Sequence, residues 1–172
     1  MKMSAWTTTA LLGLLFALAG PARAGVGIGD TPPDHLGKSH QGDEVRVTAF
    51  HGKVVVVTFW ASWCGYCRKE LPVLAGLQDA AGKARLEVVA VNYHDDRDAY
   101  LAIARKLKDV QLTLTFDASG HIGEAYGVHG LPHLLIIGKD GRVAYQDVGY
   151  GEESLQEIVD AVNKELAKPA ES

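Results

Sequence analysis

The sequence predicts a single α/β domain in which a central mixed sheet is flanked by helices. Val54 to Trp60 is a nearly unbroken run of β-branched and aromatic residues, as in a strand that is buried on both faces. The segments after it alternate between helical and strand patterns, which favours parallel pairing. Further on, Lys139-Asp140-Gly141 is a turn signal between two strand patterns and predicts an antiparallel hairpin.

The composition is that of one ordinary globular domain. The chain has 172 residues, of which 47% are hydrophobic and 22% are charged, so it can bury a core of its own. Its formal net charge of −4 supplies no basic surface of the kind that nucleic acid or anionic lipid requires. We therefore expect no nucleic-acid partner, and we expect the domain to be a monomer.

The first residues have the features of an export signal. Lys2 supplies a positive charge, Ala10 to Ala19 is an apolar run, and Ala22-Arg23-Ala24 has the small-x-small form of a signal-peptidase site. Residues 1–24 are thus expected to be a signal peptide cleaved after Ala24, and residues 25–172 to be one periplasmic domain. A retained membrane anchor is the alternative, but the apolar run is shorter than the roughly 20 residues that a span needs.

The domain is expected to begin with an irregular segment and a hairpin. Residues 25–35 are rich in glycine and proline, and Gly42-Asp43 is a turn signal before a strand at 45–47. Together they predict an N-terminal extension that precedes the central strand.

A helix is expected from Cys64 to about Ala81, because Leu71, Leu74 and Leu77 follow one another at spacings of three. The same criteria predict a strand at 86–91, a helix at 95–107, a strand at 112–116, a short helix at 122–126, strands at 134–137 and 142–148, and a final helix at 151–166.

The two cysteines of the chain, Cys64 and Cys67, are separated by two residues. A framework of structural disulfides needs more cysteines at wider spacing, whereas this pair forms a short, exchangeable loop. It lies where a buried strand leads into a helix, so the free N–H groups of the first turn and the helix dipole stabilise a thiolate. Cys64 is therefore the predicted nucleophile, and the more buried Cys67 would resolve the mixed disulfide.

Metal or haem binding is the alternative use of such a pair. Zinc and iron–sulfur sites need further ligands, and attachment of c-type haem needs a histidine directly after the second cysteine, where this chain has Arg68. The favoured interpretation is redox exchange that needs no metal or cofactor.

The segment from Phe59 to Pro72 reads FWASWCGYCRKELP. It resembles the active-site segment of the exported thioredoxin-like thiol–disulfide oxidoreductases, which include the reductases of cytochrome c maturation. The resemblance extends over roughly residues 25–167 and implies a thioredoxin-like fold with an N-terminal hairpin extension and a strand–helix insertion. It also includes Gly52-Lys53, Gly127-Val128 and the hairpin at 139–141.

The resemblance implies a substrate-binding surface beside the cysteines. It implies that the Leu131-Pro132 bond is cis and that the Leu131 backbone pairs with an extended substrate segment. A trans turn is the alternative that base rates favour. Trp63, Gly65 and Tyr66 are expected to face the substrate, although Trp63 could instead pack on the edge of the helix.

One position departs from the thioredoxin pattern. Thr58 stands in the central strand where thioredoxins carry a buried acid, so the usual proton acceptor for the resolving cysteine is absent. Glu70, three residues after Cys67, matches an acid of the exported reductases and is the candidate substitute. The alternative is a solvated carboxylate loosely paired with a basic side chain.

Histidines near Pro132 are a further candidate feature. His133 follows this proline and His129 precedes it. His133 could adjust the pKa of the thiols, or the histidines could join the cysteines in binding copper or zinc. An exposed polar histidine with a structural or incidental role is the simpler interpretation, so no metal site is assigned.

The predicted function is reduction of disulfides in exported proteins by the Cys64/Cys67 pair. The resemblance implies a membrane-embedded thiol reductase as the electron donor. A disulfide oxidase or isomerase is the alternative, because Gly65-Tyr66 replaces the Gly-Pro of thioredoxins and a similar dipeptide occurs in periplasmic isomerases. A copper-binding module without enzymatic activity is less favoured.

Overall fold

The computed structural model describes residues 25–107 and 109–169, which form one seven-stranded sheet with helices on both faces. The strands are β1 (His35–Ser39), β2 (Glu44–Arg46), β3 (Val54–Trp60), β4 (Leu86–Tyr93), β5 (Thr113–Asp117), β6 (His133–Ile137) and β7 (Val143–Val148). The helices are α1 (Gly65–Ala81), α2 (Arg97–Lys106), α3 (His121–Tyr126) and α4 (Glu152–Ala167). The expected signal peptide lies outside the described residues. Among the helices that are described, none combines the length and the apolar character that crossing a membrane would take.

The sheet is mixed, as predicted. Its strand order is β2-β1-β5-β4-β3-β6-β7. β3, β4 and β5 are parallel, whereas β6 is antiparallel to β3 and β7 is antiparallel to β6. At the other edge, the hairpin of β1 and β2 pairs with β5 and forms the expected N-terminal extension. β5 and α3 supply a strand–helix unit between α2 and β6.

The core has two layers because β3 lies near the centre of the sheet and all its residues are buried. Its even-numbered side chains, such as Val56, pack with Leu74 of α1 and Ile158 of α4. The odd-numbered side chains, such as Phe59, pack on the other face with Tyr126 of α3. The run of apolar residues in β3 therefore reflects burial on both faces.

One predicted strand ends early. Val47 is the first residue of a 3-10 turn that extends to Phe50, whereas the sequence predicts a strand at 45–47. The backbone N–H of Val47 donates to the Asp34 carbonyl, and the backbone N–H of Thr48 donates to the Asp34 carboxylate at 2.9 Å. Asp34 thus accepts hydrogen bonds from backbone N–H groups that a longer strand would use for pairing, and the chain turns away from the sheet.

Candidate active site

The two cysteines lie at the junction of β3 and α1. Cys64 is the N-cap of α1, and its Sγ accepts a hydrogen bond of 3.1 Å from the backbone N–H of Cys67. A disulfide joins the two residues. Cys64 is 6% exposed and Cys67 is 0% exposed, so only Cys64 retains access to solvent. This difference agrees with Cys64 as the attacking residue and Cys67 as the resolving one.

A cis proline lies beside the cysteines. The Leu131-Pro132 peptide bond is cis, which confirms the prediction from the family resemblance. Because β6 is antiparallel to β3 and His133 is opposite Phe59, the residues before β6 lie at the end of β3 where α1 begins. The side chain of Leu131 packs against the cluster that contains both cysteines.

Glu70 is buried next to Thr58. Its side chain is 1% exposed, and Oε2 accepts a hydrogen bond of 2.7 Å from Thr58 Oγ1, while Oε1 has no hydrogen-bond partner. Burial raises the pKa of Glu70 to about 7, the Thr58 hydrogen bond opposes this shift, and the charge of Asp147 adds to it. The alternative of a solvated carboxylate paired with a basic residue is therefore wrong, since desolvation dominates the environment of Glu70.

Asp147 is a neighbour of Glu70 that no sequence pattern marked. Across the sheet, Thr58 of β3 is opposite Leu134 of β6, and Leu134 is opposite Asp147 of β7. Residues opposite one another point to the same face, so Asp147 lies on the face that α1 covers. Its Oδ2 is buried without a partner. This relationship depends on the register of the three strands β3, β6 and β7.

His133 is buried, so the expectation that it is exposed is wrong, whereas the structural role stays a prediction. It is 2% exposed and its ring meets Phe59 edge-on at a centroid distance of 6.2 Å. The imidazole thus lies on the face that Phe59 occupies, whereas α1 covers the other face. The side-chain amide of Gln146 is within hydrogen-bond distance of Nε2, at 2.8 Å, and Nδ1 is buried without a hydrogen-bond partner.

The pKa of His133 is lowered, first by burial and then by the charge of His129, while Asp147 opposes the shift. His129 itself is exposed. Within residues 25–107 and 109–169, no three His, Cys, Asp or Glu side chains are close enough together to bind a metal ion.

The rim of the site is aromatic. Trp63 is 67% exposed and Tyr66 is 59% exposed, and exposed Gly65 begins α1 between them. The ring of Tyr66 stacks on Tyr150, with centroids 6.1 Å apart and planes at 28°. The high exposure of Trp63 argues against its packing on the edge of the helix. That these residues contact a substrate stays a prediction.

A polar network fixes the loop before Cys64 and was not foreseen from the sequence. The Asp95 carboxylate accepts hydrogen bonds from the backbone N–H of Ser62 at 2.6 Å and from its hydroxyl at 2.9 Å. Asn92 Nδ2 donates to the same carboxylate at 2.7 Å. His94, between Asn92 and Asp95, has a φ of 56°, a left-handed conformation that a non-glycine residue seldom adopts. The only available signal was the position of Asp95 just after a buried strand.

The chain is similar to known proteins over most of this domain. Residues 28–163 match the Redoxin family. The chain is 37% identical over 123 residues to the thiol:disulfide interchange protein CycY of Rhizobium leguminosarum bv. viciae, a match that covers 70% of this chain and 64% of CycY. It is 31% identical over 121 residues to the thiol-disulfide oxidoreductase ResA of Geobacillus thermodenitrificans, covering 70% of this chain and 69% of ResA.

A solved structure shows the same fold. It is a crystal structure of a candidate thiol:disulfide interchange protein DsbE from Chlorobium tepidum, which superposes with a TM-score of 0.74 at 30% sequence identity. The superposition covers 83% of this chain and 99% of that one.

Proposed function

This chain belongs to the Redoxin family, and on that basis we propose that it reduces disulfides in exported proteins through a dithiol–disulfide cycle of Cys64 and Cys67. The observation that carries the proposal is the asymmetric cysteine pair: Cys64 is at the start of α1 with residual exposure, and Cys67 is fully buried. The matched relatives are a thiol:disulfide interchange protein and a thiol-disulfide oxidoreductase.

The first half of the cycle forms a mixed disulfide. In the reduced protein the Cys64 thiolate attacks one sulfur of a client disulfide, the client S–S bond breaks, and the released client thiolate takes a proton from solvent. The N-cap position favours the thiolate, since the backbone N–H of Cys67 in the first turn of α1 donates to Cys64 Sγ and the positive end of the helix dipole lies there. One new S–S bond now joins Cys64 to the client.

The second half releases the client. Cys67 loses its proton and attacks Cys64 Sγ, the mixed disulfide breaks, and the second client thiol leaves with a proton. The client gains two electrons and the protein retains the Cys64–Cys67 disulfide. Glu70 is the acceptor that we assign to the Cys67 proton, because it follows Cys67 by one helical turn, is buried with it, and has a pKa of about 7.

The cycle needs a source of electrons outside the cytoplasm. We assign this role to a membrane-embedded thiol reductase, whose dithiol would reduce the Cys64–Cys67 disulfide by the same exchange in reverse. The proposal includes export, cleavage after Ala24, and action as a periplasmic monomer.

Two measurements test the proposal. The first is the reduction potential of the cysteine pair in residues 25–172, equilibrated in glutathione or dithiothreitol redox buffers. A value near that of thioredoxin, about −270 mV, would support a reductase, whereas a value near about −120 mV would indicate an oxidase or isomerase and contradict the proposed direction.

The second measurement is trapping of clients. Cys67→Ala removes the resolving thiol, so the mixed disulfide on Cys64 should accumulate and its clients can be identified from a periplasmic extract. Cys64→Ser is the matched control and should trap nothing. Reduction of a test disulfide by Cys64→Ser at the rate of the parent would contradict the assignment of the nucleophile.

A further inference from the structure

Two tyrosines from distant parts of the chain meet beside the cysteine pair. Tyr66 lies between Cys64 and Cys67, and Tyr150 lies in the loop between β7 and α4. Their rings stack with a centroid separation of 6.1 Å, Tyr66 is 59% exposed, and Tyr150 is half-buried. Aromatic rings that are held by each other and still open to solvent present a preformed apolar surface.

Tyr150 is also tied to the cis proline. The backbone N–H of the preceding residue, Gly149, donates to the carbonyl oxygen of Pro132 at 2.8 Å. Val148 lies against the same loop, because a Cβ added to Gly130 would be 3.0 Å from Val148 Cγ1. The segment 148–150 therefore connects the cis-proline loop to Tyr66, one of the two residues between the cysteines.

Exposed large apolar side chains are concentrated near this surface. Of the five among the described residues, Trp63 and Tyr66 are next to the cysteines in the chain, and Val148 lies against the loop before the cis proline. Exposed apolar side chains that cluster at one place mark an interaction surface, whereas scattered ones need no explanation. Such a cluster at a redox centre indicates that the partner brings an apolar side chain together with its disulfide.

Positive charge beside the cysteine pair restricts which residues a client can carry near its own cysteine. Lys69 Nζ lies 5.6 Å from the centroid of the Tyr66 ring. In the part of the chain that the structure describes, neither Lys69 nor Arg68 has a carboxylate within salt-bridge distance. These cations would repel a client with basic residues around its cysteine. An aromatic client side chain would instead pack against the tyrosine pair.

We propose that Tyr66, Tyr150 and Val148 form a client-docking surface for an extended segment that carries an aromatic side chain two residues from its reactive cysteine. The inference rests on the proposed function, because the client cysteine must reach Cys64. In an extended segment, side chains two residues apart point the same way and are separated by about 7 Å. When the client cysteine points at Cys64, the client side chain two residues away points to the same surface. There it can contact the two tyrosines.

The test compares two disulfide-linked peptides, one with Phe at both positions two residues from the cysteine and one with Ser there. The parent should reduce the Phe peptide with a kcat/KM about five- to tenfold higher, the size expected for one aromatic pair. Tyr150→Ala should bring the ratio of the two kcat/KM values close to one, and Tyr150→Phe should retain the preference. Using the ratio within each variant cancels any general effect on the chemistry.

Ile28→Ala is the matched control, because Ile28 is 69% exposed and is not part of this surface. It should leave both kcat/KM values unchanged. Equal rates for the two peptides in the parent, or an unchanged preference in Tyr150→Ala, would overturn the docking surface while leaving the reductase function intact.

A binding measurement separates the two proposals. The same peptides with Cys replaced by Ser cannot react, and their dissociation constants for the oxidised protein can be measured by calorimetry. Tighter binding of the Phe peptide that is lost in Tyr150→Ala supports the docking surface even if neither disulfide peptide is reduced, a result that would contradict only the proposed function. Equal binding of both peptides would overturn the docking surface.

Discussion

Thr58 Oγ1 donates a hydrogen bond of 2.7 Å to Glu70 Oε2 in the interior of the protein. A hydroxyl donor thus occupies the strand position where thioredoxins carry an acid. The acid of this chain, Glu70, extends from α1 and contacts that hydroxyl. The hydrogen bond stabilises the charged form of Glu70, while burial stabilises the neutral form, and burial has the larger effect. The result is a carboxyl group that can gain or lose a proton near neutral pH.

Glu70 should make the stability of the protein fall as pH rises. Its pKa is about 7 in the folded protein against an ordinary value of 4.5, so the folded state holds a proton that the unfolded state has lost. The stabilisation is fully present below pH 4.5 and is lost as pH rises through about 7, a change of about 3 kcal/mol. Urea unfolding of the oxidised protein at a series of pH values measures it.

Glu70→Gln should remove this decline. Asp79→Asn, which neutralises an exposed carboxylate on the same helix, is the control and should keep it. Parallel pH profiles for the parent and Glu70→Gln would show that Glu70 titrates normally.

Thr58→Val should raise the pKa of Glu70 still further. Valine has nearly the shape of threonine but cannot donate, so the buried carboxylate loses the hydrogen bond that favours its charged form. Stability should fall by about 1–3 kcal/mol, and more at high pH than at low pH. The titration of Glu70 can be followed by carbon NMR of its carboxyl group.

Thr113→Val is a matched control, because Thr113 Oγ1 donates to a different buried acid, Glu87, at 2.6 Å. It should leave the titration midpoint of Glu70 where it is. An unchanged midpoint in Thr58→Val would contradict the role assigned to the Thr58 hydroxyl.

Asp95 should matter more for activity than its neighbour Asp96. Asp95→Ala removes both hydrogen bonds to Ser62 and frees the loop that leads into Cys64, so disulfide reduction should slow by about tenfold through loss of positioning. Asp96 accepts from the Ala99 backbone N–H at 2.8 Å as the N-cap of α2. Asp96→Ala should cost about 1 kcal/mol of stability and leave turnover unchanged. Equal turnover in the two variants would refute the positioning role.

His133 should stay neutral at a pH where an ordinary histidine is half protonated. Burial lowers its pKa from 6.5, so the unfolded state binds a proton that the folded state rejects. The resulting stabilisation is present above pH 6.5 and is lost as pH falls through the folded pKa, opposite in sign to the trend from Glu70. Nitrogen NMR at pH 6.5 should show a mostly neutral ring, and an equal share of imidazolium would contradict this.

The order of strands and helices follows from local patterns. The apolar run of β3, the spacing of leucines along α1 and the turn at 139–141 each depend on residues close together in the chain, and the structure contains all three elements. The cysteine pair could be predicted equally well, because its chemistry depends on two residues three positions apart at a strand–helix junction.

Contacts between residues that are distant in the chain could not be predicted from local patterns. Thr58 and Glu70 meet because α1 packs back over β3, and Asp147 joins them because of the register of β3, β6 and β7. The burial of His133 was misjudged because a histidine after a proline gives no sign of which sheet face it will occupy. Tyr150 had no motif to mark it.

The sequence by itself therefore determined the fold class, the reactive cysteines and the cis proline, the last through family resemblance. Only the tertiary structure decided which groups surround the cysteines: the buried pair of Thr58 and Glu70, the Asp95 network and the stacked tyrosines. The physical reason is that periodicity reports whether a residue faces a core. Its partner and its pKa depend on strand register and desolvation, which exist only once the chain has folded.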